Sequence, residues 1–407
     1  MTLRLEPRHN AVTNDRSFAG AVVPNSNRIP VRPIDSLTGI RGVAAIWVFL
    51  THFQPVLARY LGDASLNDNT FLYNGFRGVD LFFILSGFIL MYVHEDDFRT
   101  IDREKLKTFY VMRFFRVYPL NTIVLVSLIP IVITLPNLVD WFRYDDGVPI
   151  PYHSHDFSVA GLVQSILLAQ AWTVMKLGEW NGPAWSLSAE VFGYAFFPIL
   201  AFVIARRTSV FLCAASATAS LAILAVLLVI GHHTQDSPTG TFGLIRMIFG
   251  FFSGMCLARC ARLWPEGQEK SSLLTYAAAV IIIATLSFPR TNMLIMFGFA
   301  IMIFGLSYET GLINQVLSSK LMVFLGKISF ALYMVHYVPL KMSLWLLPES
   351  AVADVGLQSR IVCLVGIVAL CFGLAVIVHH HVELRFQRYA RLVLRQPGKR
   401  PAAALHV

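Results

Sequence analysis

The chain has 407 residues, of which 56% are hydrophobic and only 14% charged, and its mean hydropathy is +0.62. A soluble globular chain carries about 25% charged residues, so the composition excludes an ordinary soluble domain and indicates a polytopic membrane protein. The net charge of +9 would suggest nucleic acid in a soluble protein; here its distribution along the chain is what matters, and no nucleic-acid partner is expected.

In chain order, residues 1–36 are polar, contain Pro and Arg, and lack an apolar core. They read as a cytoplasmic tail and not as a cleavable signal peptide. Apolar runs of about 20 residues, enough to span a bilayer, begin near Leu37, Gly75, Phe114, Pro183, Val210, Thr241, Leu273, Asn292, Ile328 and Ser359. An eleventh candidate, residues 157–172, is shorter and is interrupted by Gln164 and Gln170.

Charge parity decides its fate. If 157–172 does not cross, 24 of the 33 Lys and Arg residues fall on one side, in segments 1–36, 94–116, 206–207, 259–270, 320–327 and 381–407. If it does cross, Arg206, Arg207 and the basic tail after Glu383 lie outside, against the positive-inside tendency. The expected fold is therefore an all-α polytopic bundle of about ten transmembrane helices with both termini cytoplasmic. Residues 37–384 form its membrane domain, with 157–172 as a re-entrant or surface helix, and 385–407 form a basic tail facing anionic lipid. The five cysteines have no metal-type spacing and an odd total, so they read as reduced core residues and no metal site is expected. The histidines at 153, 155, 232 and 233 lack a third ligand at zinc-type spacing. No internal repeat is evident, which counts against the commonest transporter architectures.

Ionisable residues inside these runs carry the functional signal. In the first run, Arg41 and His52 are eleven positions apart, about 20° beyond three full helical turns, so they share one helix face about 16 Å apart. An Arg in hydrocarbon costs roughly 2.5–3.5 kcal/mol on insertion scales; the plainer reading is a snorkelling Arg and a His bonded to backbone. The second run carries Asp80, with His52 or Arg77 as a candidate partner, and glycines 75, 78 and 87 permit close helix approach. Arg113 and Arg116 share a face at the start of the third run and suit bidentate phosphate binding, although positive-inside flanking explains them as readily. Pro119 follows and is expected to kink or open that helix. The stretch WSLSAE, Trp185 to Glu190, opens the fourth run with Ser186, Ser188 and Glu190, the last about 10 Å inside; helix capping is the alternative. Tyr333 and His336 share a face of a late run.

These motifs, RGVAAIWVFLTH from Arg41 to His52, GFRGVDLFFILSGFIL, RFFR from Arg113 to Arg116, WSLSAE and ISFALYMVH, resemble in order those of the acyltransferase-3 family of integral membrane O-acyltransferases. The resemblance runs from about Ile34 to Phe386. It implies a bundle of about ten helices and transfer of an acyl group, usually acetyl from acetyl-CoA, to a hydroxyl of an extracytoplasmic glycan or glycosylated small molecule. It also implies that His52 is the catalytic histidine, Arg41 its motif partner, and Arg113 with Arg116 part of the acyl-CoA site.

On that expectation acyl-CoA is a co-substrate and not a permanently bound cofactor. It docks from the cytoplasm on Arg113, Arg116 and Arg41, and His52 acts as general base on the acceptor hydroxyl. Asp80 or Glu190 is the candidate to orient His52. Trp185, Ser186, Ser188, Tyr333 and His336 are candidates for acceptor or oxyanion contacts. Direct transfer is favoured over an acyl-enzyme on Ser186, Ser188 or His52. Residues 137–184, with Trp141, His153, His155, Trp172 and Trp180, are the expected acceptor-recognition region. Some family members carry a further esterase-type domain after the membrane part; acceptor handling is here expected to be intrinsic. A bacterial inner membrane is the expected home. The rivals are a transporter or flippase whose charges line a pathway, and a catalytically inactive scaffold. The acyl chain, the acceptor and the oligomeric state are left open.

Overall fold

The computed structural model describes residues 32–134, 157–172, 180–230, 241–287 and 293–394, together with a two-residue antiparallel ladder pairing Tyr144–Asp145 with Val148–Pro149. Trp141, His153, His155 and the histidines at 232 and 233 lie outside the described residues. Every apolar run folds as helix, since a backbone group in hydrocarbon has no water to bond and must be satisfied within its own segment.

The helices are α1 (Asp35–Leu61), α2 (Gly78–His94, entered through short helical turns at 64–77), α3 (Arg103–Thr134), α4 (Val159–Ile166), α5 (Ala184–Ile204), α6 (Val210–Ile230) and α7 (Thr241–Leu263). They continue with α8 (Gln268–Ser287), α9 (Leu294–Leu306), α10 (Gly311–Leu317), α11 (Lys320–Val335), α12 (Tyr337–Leu346), α13 (Leu357–Val378) and α14 (Leu384–Val393). A π-helical turn, His379–Glu383, joins the last two. Among the described residues eight spans are long and apolar enough to cross a membrane, or up to ten if each bent pair, α9/α10 at 87° and α11/α12 at 53°, is one span. All ten runs read from the sequence are present. Large apolar side chains such as Ile133, Phe211, Ile230, Leu273, Val280 and Val362 face outward, as a lipid-facing perimeter requires.

Three local features position the interior. α3 runs unbroken for 32 residues through Pro119 and Pro130. At about 48 Å it outlasts a ~30 Å hydrocarbon core and carries Arg103, Lys105 and Lys107 beyond it. The break between α11 and α12 falls at His336 because Pro339, three residues on, has no N–H to offer the Val335 carbonyl. α4, with eight residues, covers about 12 Å, too short to cross. It closes in a Schellman motif: Leu168, at φ 53°, donates to the Ser165 carbonyl, and Ala169 donates to that of Gln164. That left-handed position normally takes glycine.

Close approaches fix the two helix pairs that carry the polar residues. α2 packs along α7 and α1 along α11. A Cβ at Gly87 or Gly254 would collide with the carbonyl of Phe251 or Ile84 across the α2–α7 seam, and one at Gly326 with the Thr38 carbonyl across the α1–α11 seam. At the arginine-rich end, Glu95 accepts from Arg259 at 2.5 Å and pairs with Arg99 and Arg262, while Arg262 also holds Asp96 at 2.8 Å. Arg259 donates to the Arg207 carbonyl as well. The positive residues of this end are thus in part bundle ties as well as flanking charges. No cysteine forms a disulfide; four are buried and Cys363 is exposed.

Candidate active site

The interior of the bundle holds two polar layers, and α1 passes through both. The layer nearer the arginine-rich end gathers Arg41 of α1 with Arg113 and Arg116 of α3. Arg116 is ion-paired with Glu383, a buried carboxylate that the π-helical turn carries inward. Glu383 is also bonded by His379 at 2.8 Å and Gln387 at 3.3 Å. Glu190 of α5 accepts from the Ser86 hydroxyl at 2.5 Å and the Tyr194 hydroxyl at 2.6 Å. Arg113 lies over the rings of Phe109 and Tyr194 at 5.9 and 5.8 Å, and its Nε has no hydrogen-bond partner. Arg41 forms no hydrogen bond or ion pair with any described residue; Arg116, Glu383 and Glu190 act on it at longer range. Three guanidiniums thus face two carboxylates, leaving a surplus of one positive charge. Such an excess inside a low-dielectric bundle is costly unless an anion offsets it.

The second layer is built around two imidazoles. His52 Nδ1 lies 3.0 Å from the Val48 carbonyl and 3.1 Å from His336 Nε2. His336, 1% exposed, has its Nδ1 2.9 Å from the Leu332 carbonyl. The Tyr337 ring stands edge-on to His52 with centroids 5.6 Å apart, and the Tyr333 ring is 6.0 Å from His336. Both histidines precede a proline by three residues, Pro55 and Pro339. Each proline withholds the N–H that would bond the carbonyl just before its histidine, so both imidazoles sit where a helix has loosened.

The residues of WSLSAE separate into different tasks. The Ser186 hydroxyl contacts Tyr333 Oη at 2.6 Å and the Pro183 carbonyl at 3.0 Å. The N-cap of α5 is Pro183 and no side chain caps that helix end, so Ser186 is not an N-cap. Ser188 is fully buried; it accepts from the Ala171 N–H at 3.1 Å and donates to the Leu168 carbonyl at 2.6 Å. It therefore ties the segment after α4 to α5, and its hydroxyl is spent on backbone. Neither serine is bonded to His52. Trp185 packs on Phe83 with centroids 6.2 Å apart and lies under the Arg246 guanidinium.

The carboxylates do not meet His52 as the sequence suggested. Asp80, fully buried, is ion-paired with Arg246 of α7 at 2.9 Å, where His52 or Arg77 was the expected partner. Glu190 is committed to Ser86 and Tyr194 in the guanidinium layer. His52 instead meets His336, besides the Val48 carbonyl and the Tyr337 ring. Arg246, Glu383, Tyr194 and Ser86 went unread; for Arg246 and Glu383 the signal was available, a lone charge inside or at the edge of an apolar run. Among the described residues no group of three His, Cys, Asp or Glu side chains could hold a metal ion.

A helical bundle with outward apolar faces, an internal arginine layer and an imidazole pair one helix half-length away defines a membrane-embedded protein with chemistry-bearing groups in its core. A family model described as an acyltransferase domain matches residues 34–384. The chain belongs to this family, the acyltransferase-3 membrane acyltransferases, whose reaction class is acyl transfer. It is 29% identical over 342 residues to the acyltransferase MdmB of Streptomyces mycarofaciens, covering 76% of this chain and 79% of MdmB. It is 24% identical over 331 residues to the O-acetyltransferase OatA of Staphylococcus aureus, covering 75% of this chain; the chain spans about half, 50%, of OatA's length. No solved structure matches it.

Proposed function

We propose that the protein moves an acyl group, most simply acetyl, from acyl-CoA on the cytoplasmic side to a hydroxyl of a glycan or glycosylated acceptor on the other side of a bacterial cytoplasmic membrane. The observation that carries this reading is the division of α1. Arg41 stands without an ion pair among Arg113 and Arg116, and His52 lies about 16 Å further along the same face. Guanidiniums recognise phosphate oxygens through directed, charge-assisted bonds, and the span suits an extended thioester arm laid along that face.

In this reading the acceptor oxygen attacks the thioester carbonyl carbon. The new C–O bond forms as the C–S bond breaks, and the hydroxyl proton passes to His52 and from there to the departing sulfur, giving free CoA thiol. Base catalysis of this kind contributes about 10²–10⁴-fold. Direct transfer is favoured because neither Ser186 nor Ser188 is bonded to the imidazole that would activate it. Trp172, exposed after α4, is an aromatic ring that a glycan acceptor could stack on, whereas Trp180 is buried against Phe157.

The test is release of CoA thiol from acetyl-CoA by purified protein in lipid, with and without an oligosaccharide acceptor, beside His52→Ala. Release by the parent and its loss in the variant are expected. If no acyl-CoA binds or turns over with acceptor present, the reading falls and transport of a related substrate takes its place.

A further inference from the structure

Hydrogen-bond chemistry fixes where the protons sit in the imidazole pair. A carbonyl oxygen only accepts, so His336 Nδ1, 2.9 Å from the Leu332 carbonyl, carries a hydrogen. A neutral imidazole has one N–H, which leaves His336 Nε2 as an acceptor. His52 Nδ1 lies 3.1 Å from that nitrogen and 3.0 Å from the Val48 carbonyl. Both neighbours accept, so both draw the His52 proton to Nδ1.

We propose that His336 is the positioning residue of this site: it holds His52 in the tautomer with the proton on Nδ1, so that Nε2 is the nitrogen that takes the acceptor's proton. The inference rests on the proposed role of His52 as base. When His52 becomes an imidazolium by gaining that proton on Nε2, its Nδ1–H stays between Val48 and His336, and no second transfer is required. This is the work a buried carboxylate does beside the base histidine of hydrolases. Here a neutral ring does it, and the carboxylates Asp80 and Glu190 are occupied elsewhere.

The backbone around His336 is built for that task. The residue is 1% exposed, sits at the junction of α11 and α12, and has its rim set by Phe49, whose ring lies edge-on at 6.0 Å. Asn181 secures the same stretch by donating to the Met334 carbonyl at 3.1 Å. His336 thus has a fixed ring, one defined donor and one defined acceptor.

Two substitutions separate the proton role from packing. His336→Phe keeps a ring of similar size but removes the acceptor; His336→Gln places an amide oxygen near the position of Nε2. The Phe variant should lose on the order of 10²-fold in kcat, less than the ~10⁴-fold of a full tautomer loss because the Val48 carbonyl remains. Its KM for acetyl-CoA should stay within about three-fold, since an interaction used only in the transition state was removed. The Gln variant should recover at least half of that loss on a logarithmic scale. Independently of turnover, nitrogen-15 spectra of histidine-labelled protein in lipid nanodiscs should give the signals missing in His52→Ala as a protonated Nδ1 and a bare Nε2.

A protonated Nε2 on His52 in the parent overturns the proposal, as does a folded Phe variant with parental kcat or a Gln variant as impaired as Phe. Should the parent release no CoA at all, the proposed function fails, while the spectra still decide the tautomer. Should His336→Phe not fold, the parent spectra and the Gln variant decide.

Discussion

The Asp80–Arg246 pair offers the sharpest test of how the bundle treats its internal charges. Arg246 Nε sits 2.9 Å from Asp80 Oδ1, with the two side chains 1% and 0% exposed, and Asp80 Oδ2 has no hydrogen-bond partner. At that distance the attraction is about 6 kcal/mol for an effective dielectric near 20. Desolvating both ions consumes most of it, so the pair as a whole should be nearly neutral against apolar replacements. Breaking it is another matter. Arg246→Met removes the carboxylate's one bond and strands a buried charge, which should cost about 3–5 kcal/mol. Asp80→Leu with Arg246→Met together should regain most of that loss. Equilibrium unfolding in mixed detergent micelles measures the cycle, and CoA release measures function. A near-zero coupling between the two positions would refute the stranded-charge argument. A double variant as stable as the parent but as inactive as His52→Ala would refute the structural assignment of Asp80 and return it to the chemistry.

The same reasoning predicts opposite outcomes for two arginines of the guanidinium layer. Arg41→Met strands no partner and should leave stability within about 0.5 kcal/mol of the parent or raise it, while the KM for acetyl-CoA rises at least about ten-fold; an equally large fall in stability would show that Arg41 is a structural tie. Arg116→Met leaves the buried Glu383 without its guanidinium and should destabilise by several kcal/mol, measured by the same unfolding titration, with Arg116→Met plus Glu383→Gln closer to the parent. Ser188→Ala removes a buried donor and acceptor and should cost about 1–3 kcal/mol. Its main readout is faster proteolysis within 157–180; CoA release unaffected by a lost acyl-enzyme site is the expected companion, and full inactivation of a stable Ser188→Ala protein would overturn this account. Gly326→Ala should cost about 1–3 kcal/mol through overpacking and also slow CoA release, because it pushes α11 and its His336 away from α1; unchanged turnover would show that the imidazole pair tolerates that shift.

How much of this was legible beforehand follows from the range of each interaction. The spans were readable because hydrophobic length is local: a run of about 20 apolar residues must be a helix in lipid. The shared face of Arg41 and His52 was readable for the same reason, since helical phase depends only on separation along the chain. What failed was partner choice for the carboxylates. Depth along a helix is nearly fixed by sequence, but azimuth is set by which helices touch, and Arg246 lies 166 residues from Asp80. His52 at similar depth was therefore as reasonable a partner on paper as the one that packs there. Glu383 was hidden differently. It sits where the last run meets basic residues and reads as a boundary, until the π-helical turn swings it against Arg116.

The pairing of His52 with His336 had a sequence trace that charge-based reading passes over. HFQP and HYVP repeat one device, a histidine with a proline three residues later, in helices 284 residues apart. A proline there loosens the turn that carries the histidine, and in α11 the loosening becomes a 53° bend. Two such sites facing each other let two rings approach across a helix seam otherwise held tight by glycines at 42 and 326. The carboxylates that were candidates to orient His52 are engaged elsewhere in the bundle, Asp80 with Arg246 and Glu190 with Ser86 and Tyr194, while Glu383 neutralises Arg116. That allocation has a physical logic. The buried arginines need an opposite charge to be tolerated in a region of low dielectric, whereas a neutral second imidazole can orient the His52 ring without adding a charge.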